Sequence, residues 1–392
     1  MRITAIVALF IASVLANPHI VPDPATTGEG ALMLWPTARS TALAGAMTGL
    51  ADEADATYFN SAGLAFQTTS KANLDYGSLL PGVQGGMYFM SAAAGAPLRT
   101  LSLRNRNVYV SGSLIYSTAG KIAIVDDWGR LVGRVNVWRG NAAGHVAMLL
   151  TNSLGAGIGL KVVHNSTRTP EYSTRGPIGE ATGVAADLTM LYRPLSQVSI
   201  GAAVVNLGPH SVYRPSGDVA SLPGMARLGL CWTPVETRNV RLRVMPELDK
   251  LLVSMFRDTT GRKPLGRKLE EEWKDARRAL GIEATAFSLV SLRLGYIEDL
   301  TDQLGGIVLE KDGQTYHYGL WDALSRRKLG QFRSIGLCWG FGIGYKDYFR
   351  IDVSSDAAIY DFDTSNWKLS LVANDIAGGI RELKQGHKPW EE

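Results

Sequence analysis

The chain has 392 residues, of which 19 % are charged and 43 are glycine, with a formal net charge of +4. That length exceeds one ordinary compact domain, and basic residues interleaved with acidic ones leave no footprint for a nucleic-acid partner. A sparingly charged, glycine-rich chain whose only long apolar run lies at its start points to extended β structure.

The first residues, MRITAIVALFIASVLA, place Arg2 ahead of an apolar run from Ile3 to Leu15 and close on Val14 and Ala16. Residues 1–16 therefore read as a cleaved export signal. The run is shorter than the roughly 20 residues of a spanning helix, and the lack of a following Cys argues against a lipoprotein. Residues 17–71 form an N-terminal segment that ends on the small, apolar stretch DEADATYFNSAGLAF (52–66).

From residue 72 onward the pattern has period 2. In NVYVSGSLIY, Val108, Val110, Leu114 and Tyr116 share one face while Asn107, Ser111 and Ser113 take the other. SIGLCWGFGI and WKLSLVAN repeat the alternation, with Trp339, Phe341, Trp367 and Leu369 on one side. Strands are expected near 72–80, 85–94, 106–117, 142–152, 153–164, 182–193, 197–206, 224–233, 238–249, 277–286, 289–297, 334–343, 346–354 and 366–373. The connections alternate between long, as at 118–141, 207–223, 250–276 and 298–333, and tight, as at 194–196, 234–237 and 344–345. Only the first connections break the rule.

Long loops at one rim and tight turns at the other mark a transmembrane antiparallel β-barrel of about 14 strands in the bacterial outer membrane. A secreted sandwich or propeller would leave the apolar face of so many strands unexplained. Residues 72–374 form the barrel, and 375–392 a polar C-terminal tail. By parity Lys161, Asp187, Arg227, Arg241, Arg243, Glu247, Asp249, Arg293, Arg350 and Asp352 point into the lumen. There they pair with one another, line water or hold a plug.

A barrel of that size is too wide for its wall side chains to fill. Residues 36–66 precede the first strand, and Ala42, Ala44, Gly45, Ala46 and Gly49 allow close backbone packing. We expect this segment to be a plug, with Tyr58, Phe59, Asn60, Gly63 and Leu64 inside the lumen; the alternative is an exposed tail. Farther on, Leu269, Trp273, Ala276 and Leu280 recur at helical spacing within 266–281. That helix packs on its own rim or presents Trp273 to a partner protein, and Trp321 and Leu324 raise the same choice.

No catalytic, cofactor or metal constellation emerges. The glycines of GAGIGLK (155–161) sit inside a strand with no helix after it, the histidines lack ligand spacing, and there is no nucleophile elbow. Cys231 and Cys338 share lumen parity four strands apart, so two free buried thiols are expected.

The run RSTALAGAMTGLADEADATYFNSAGLA resembles the N-terminal signature of the PorV/PorQ group of FadL-like outer-membrane barrels, with Ser61 where the group has proline. GKIAIVDDWGRLVG resembles the hairpin after their third strand, and VVNLGPHSVY, LPGMARLGLCW and PELDKLLV their central strands in the same order. This resemblance implies a type IX secretion component that holds secreted cargo on its outer loops and passes it to a surface sortase and translocon. FadL likeness implies instead transport of hydrophobic small molecules, which requires an apolar pocket near the plug and a lateral opening in the wall. The inward charges argue against a continuous greasy path, although a local pocket near Tyr58, Phe59 and Leu64 stays open to that reading. A structural barrel without a ligand is the third alternative.

Overall fold

The computed structural model describes residues 30–79, 86–98, 107–125, 128–167, 179–215, 217, 219–253, 255–256, 263–274, 276–298, 308–311, 314–317, 335–346, 348–356 and 366–384. Fourteen strands close into one barrel. In chain order they are β1 (Lys71–Ser78), β2 (Tyr88–Pro97), β3 (Val108–Val125), β4 (Leu131–Leu149), β5 (Leu154–Ser166), β6 (Glu180–Leu195), β7 (Val198–Leu207), β10 (Met225–Glu236), β11 (Val240–Leu251), β12 (Arg277–Ala286), β13 (Val290–Glu298), β16 (Ile335–Tyr345), β17 (Phe349–Ser355) and β18 (Trp367–Ala373). Every pair is antiparallel, and β18 closes on β1 with Ser78 opposite Trp367 and Ala72 opposite Ala373. Two short ribbons, β8 (Ser211–Val212) with β9 (Val219–Ala220) and β14 (Val308–Lys311) with β15 (Gln314–His317), form separate sheets, the first packed on β6 through Ala181, Tyr213 and Ala220.

The wall is inside out relative to a soluble barrel. Leu74, Leu114, Ile158, Leu160, Val184, Leu228, Leu292, Leu294, Trp339, Ile343 and Leu371 are exposed on its outer face, whereas Asn73, Ser113, Asn141, Lys161, Asp187, Glu247 and Ser370 are buried within. Val108, at the first position of β3, shares the outward parity of Leu114 but is buried. Hydrocarbon around the barrel makes the apolar exterior stable, and closure leaves no strand edge without hydrogen bonds. Among the described residues no helix is long and apolar enough to cross a membrane. On six adjacent strands the outward residues Trp367, Tyr76, Tyr88, Tyr116, Trp138 and His164 form a girdle, with neighbouring ring centroids 4.9–6.2 Å apart. Such belts sit at the water interface of outer-membrane barrels.

Connections at one end are tight: 150–153, 196–197, 237–239, 287–289 and 346–348, with 98–107 the longer exception. This is the periplasmic end by the rule for bacterial barrels, and both ends of the wall, Lys71 and Ala373, lie there. The girdle lies toward the opposite, extracellular end.

Two expectations need correction. Residues 118–141 are not a loop: β3 and β4 continue as a hairpin, paired from Lys121–Asn136 to Ile124–Gly133, past a bulge at Thr118/Gly120. It carries roughly 30 Å of strand beyond Tyr116. The bulge breaks the alternation at the girdle, which is why period 2 is lost there although the strands go on. The helix expected over 266–281 spans only Leu265–Lys274. Arg277–Ala286 is already wall, and Leu280 faces lipid, 39 % exposed. The segment 375–392 contains a helix, Ile376–Lys384, at the periplasmic rim.

The interior is filled by the chain's own start. Helices α1 (Ala38–Ala42) and α2 (Ala56–Phe59) and a 3-10 helix, Ser61–Phe66, lie inside the cylinder. The two helices outside the wall are α3 (Leu265–Lys274) and α4 (Ile376–Lys384). Leu43, Met47, Leu50 and Phe59 pack with Cys231, Met245, Ile297 and Cys338 of the wall. Ala62, Leu64 and Ala65 pack with Tyr109, Ala147 and Leu191.

Candidate functional site

Contact between plug and wall is made on inward glycines, largely backbone to backbone. A methyl group added at Gly295 of β13 would lie 2.5 Å from the Ala44 nitrogen and 2.7 Å from the Ala42 oxygen. One at Gly229 of β10 would lie 2.6 Å from the Gly49 nitrogen, and one at Gly157 of β5 would lie 2.5 Å from the Ser61 hydroxyl. Real Cβ contacts are not that short, so any side chain there displaces the plug.

A belt of four guanidinium and four carboxylate groups holds the plug's periplasmic side. Arg39 of α1 is 2 % exposed. It donates Nε and Nη2 to both oxygens of Glu283 on β12, at 2.9 and 2.8 Å, and Nη1 to Asp52 at 2.6 Å. Arg243 of β11 bridges Asp52 and Glu283 at 2.9 and 3.0 Å. Arg293 of β13 joins Glu283 to Asp352, and Arg350 of β17 joins Asp352 to Glu53 through two 2.6 Å bonds. Arg39, Asp52 and Glu53 come from the plug and the other five groups from four strands, so the belt fixes the plug's height and rotation together. Burial alone would raise the Glu53 carboxyl, but Arg350 and Arg39 hold it down to about 2. Asp55 forms no ion pair among the described residues. It accepts a bond from the Thr37 hydroxyl at 3.2 Å, and burial and then Glu53 push it up to about 7.

Hydrogen bonds from uncharged plug residues complete the latch. Thr48 donates its backbone nitrogen and hydroxyl to Glu247 of β11, each at 2.7 Å. Asn60 donates to the Thr48 and Met190 carbonyls at 2.9 Å and accepts from the Ala62 nitrogen, so it caps the 3-10 helix and ties it to β6.

Beneath the plug a polar vestibule of about 800 Å³ opens between the tight turns. Asp52 and Glu53 are in its roof, and Arg193, Arg241, Arg243 and Lys71 in its walls. Its described lining is mostly polar, which suits water rather than a greasy solute on this side of the plug. The apolar concavity lies on the outside. A groove of about 1010 Å³ runs across β1–β6 at the lipid face, floored by Ala92, Ala94, Gly112, Ala142 and Gly144 and edged by Leu74, Leu114 and Leu160. Side chains are shortest there, so the wall is thinnest. Directly behind it Tyr58 of α2 reaches the Leu114 carbonyl, hydroxyl to oxygen 3.5 Å.

Phe59, Asn60, Gly63 and Leu64 are buried in the lumen and Tyr58 is half-buried at the wall. Arg227 lies over the Phe59 ring at 5.2 Å, and Asp249 pairs with Arg277. Arg243 and Arg293 belong to the belt, Glu247 to the Thr48 latch and Arg241 to the vestibule. On α3, Leu265, Leu269 and Trp273 are 67, 52 and 59 % exposed on one face, so the helix does not bury them on its rim. Trp321 and Leu324 lie outside the described residues. Both cysteines are buried and unbridged. The sequence reading missed the partners that matter most, Arg39, Asp52, Glu53 and Glu283. The acidic step ADEAD, placed beside inward arginines, was the signal for two of them.

No protein-family model and no curated protein matches the sequence. Among solved structures the chain is similar to the toluene transporter TodX of P. putida, with 11 % identity, a TM-score of 0.46 and coverage of 86 % of this chain and 96 % of that one. It is also similar to the toluene transporter TbuX of Ralstonia pickettii, at 11 % identity, TM-score 0.49 and coverage of 86 % and 96 %. A Pseudomonas aeruginosa FadL homologue gives 10 % identity, TM-score 0.44 and coverage of 86 % and 97 %.

Proposed function

We propose that this outer-membrane barrel moves hydrophobic small molecules between the bilayer and its interior, sideways through the thin wall at β1–β6. The observation that carries the reading is the lipid-facing groove with a plug residue, Tyr58, standing behind its floor. An apolar solute gains by leaving water for such a surface, while the charged belt and polar vestibule bar it from the axis. Toluene, small, apolar and uncharged, is the probe to try first, and it is the solute named for TodX and TbuX.

The test fills the groove without touching the plug. A Cβ at Gly144 meets nothing within 4 Å, so Gly144→Leu leaves the barrel folded, as heat-modifiable gel mobility reports. Cells with the native protein should accumulate toluene faster than cells without it, and Gly144→Leu should return uptake most of the way to the background. Equal uptake by the native protein and the Gly144→Leu variant refutes lateral passage here.

A second reading is favoured by a different observation, the open apolar face of Leu265, Leu269 and Trp273 on the extracellular side. Together with the resemblance to the PorV/PorQ group, it supports a docking surface for secreted cargo, passed on to a sortase and translocon of a type IX system. Replacing Leu269 and Trp273 by serine should then abolish cargo attachment while toluene uptake persists.

A further inference from the structure

The vestibule has a feature that lateral passage of apolar molecules does not use. It is open to the periplasm, holds about 800 Å³, and is lined by six basic side chains against four acidic ones. Two of the acids are committed, Asp52 to Arg39 and Arg243 and Glu53 to Arg350, while Glu236 stands opposite Arg241 in the strand register. Two of the bases are not committed in this way. Arg193, at the end of β6, lies over the Phe66 ring at 4.2 Å and forms no ion pair among the described residues, with Asp52 acting on it only from a distance. Arg241, near the start of β11, has a buried Nε without a hydrogen-bond partner. Both side chains line the vestibule, where a ligand oxygen can accept from their guanidinium groups.

The spacing selects the occupant. β6 and β11 are separated by β7 and β10 in the wall, so Arg193 and Arg241 spring from points about 14 Å apart at ~4.8 Å per strand. Two long side chains reaching inward from that span suit a ligand with charge at more than one point, and a single halide cannot meet both. Thr233, on β10 between them, lines the same wall with a hydroxyl. We propose that the vestibule is a binding site for a small multivalent oxyanion, a polycarboxylate or polyphosphate of the periplasm, held between Arg193 and Arg241 with Arg243 behind them. Planar guanidinium forks match either oxyanion bidentately. The site is separate from the lipid-facing groove and stands or falls independently of it.

The experiment uses the full mature chain in detergent, titrated calorimetrically with citrate and, in a second arm, with pyrophosphate. The native protein should bind at least one of the two with a 1:1 stoichiometry and an affinity that falls as salt rises. Arg193→Gln with Arg241→Gln should weaken binding at least tenfold. The paired lysine variant, which keeps the charge, should recover part of it. Arg130→Gln, on the outer hairpin, should bind as the native protein does. Heat-modifiable mobility confirms that each variant is folded. Citrate binding alone assigns a polycarboxylate, and pyrophosphate binding alone a polyphosphate. Binding of neither by the native protein, or equal binding by the folded glutamine variant, overturns the proposal.

Discussion

The seating of the plug on wall glycines can be tested at one atom. Gly295 of β13 faces the backbone of residues 42–44, and an alanine methyl there would stand 2.5 Å from the Ala44 nitrogen. Restoring an ordinary contact of about 3.4 Å requires α1 to retreat by roughly 0.9 Å. Arg39 leaves the same helix, and its bonds to Glu283 are 2.8–2.9 Å. A shift of that size along the bonds takes them to about 3.7 Å, outside hydrogen-bonding range. Overpacking of this kind costs about 1–3 kcal/mol, and it falls on the local equilibrium between docked and released plug. Hydrogen exchange of residues 37–66 in Gly295→Ala should therefore accelerate about 5- to 160-fold, while exchange in β3 and β4 stays unchanged. Gly144→Ala, with nothing within 4 Å of its added methyl, is the control and should show no change. Equal protection of 37–66 in Gly295→Ala and the native protein would refute the idea that close backbone contact holds the plug.

Glu283→Gln leaves Arg39, Arg243 and Arg293 around a neutral amide. Breaking a buried pair costs about 3–5 kcal/mol, so the plug's exchange protection should collapse further than in Gly295→Ala. Asp55 gives a pH signature. Its carboxyl titrates near 7 when folded and near the usual 3.8 when unfolded, so the folded state takes up a proton between these values, and stability from this group is lost as pH rises through that window. Asp55→Asn should accordingly raise the urea midpoint at pH 8 relative to the native protein and leave it little changed at pH 4, and an effect of equal size at both would contradict the assignment. Replacing both Leu269 and Trp273 by serine should leave the unfolding free energy within about 0.5 kcal/mol of native, because both are more than half exposed; a large loss would mean that α3 packs on the rim after all.

Much of the architecture was legible because a membrane wall imposes a simple code. Period 2 with apolar residues outward located the strands to within a few positions, from Lys71–Ser78 to Trp367–Ala373. Where the code was interrupted, at the Thr118/Gly120 bulge, the strands ran on unseen. The helical spacing that linked Trp273 to Leu280 was a coincidence across a boundary. Leu280 belongs to a strand whose other outward residues include Ile282. The belt was only half readable. Parity placed Arg243, Arg293, Arg350 and Asp352 on the inward face, but the plug groups Arg39, Asp52 and Glu53 bond to wall residues 191 to 297 positions later in the chain, and no local pattern records a pairing of that separation. Nor did any pattern predict the groove over Gly112 and Gly144, since it arises from small outward residues of separate strands lying side by side.

At the centre of this account is a barrel shut along its axis by a plug that its own wall grips. Conductance of the native mature protein in a planar bilayer tests this most directly. A shut barrel should show no steady current at physiological salt, with lasting conductance appearing only when Glu283→Gln frees the plug. A stable, ohmic, open-pore current from the native protein would contradict it.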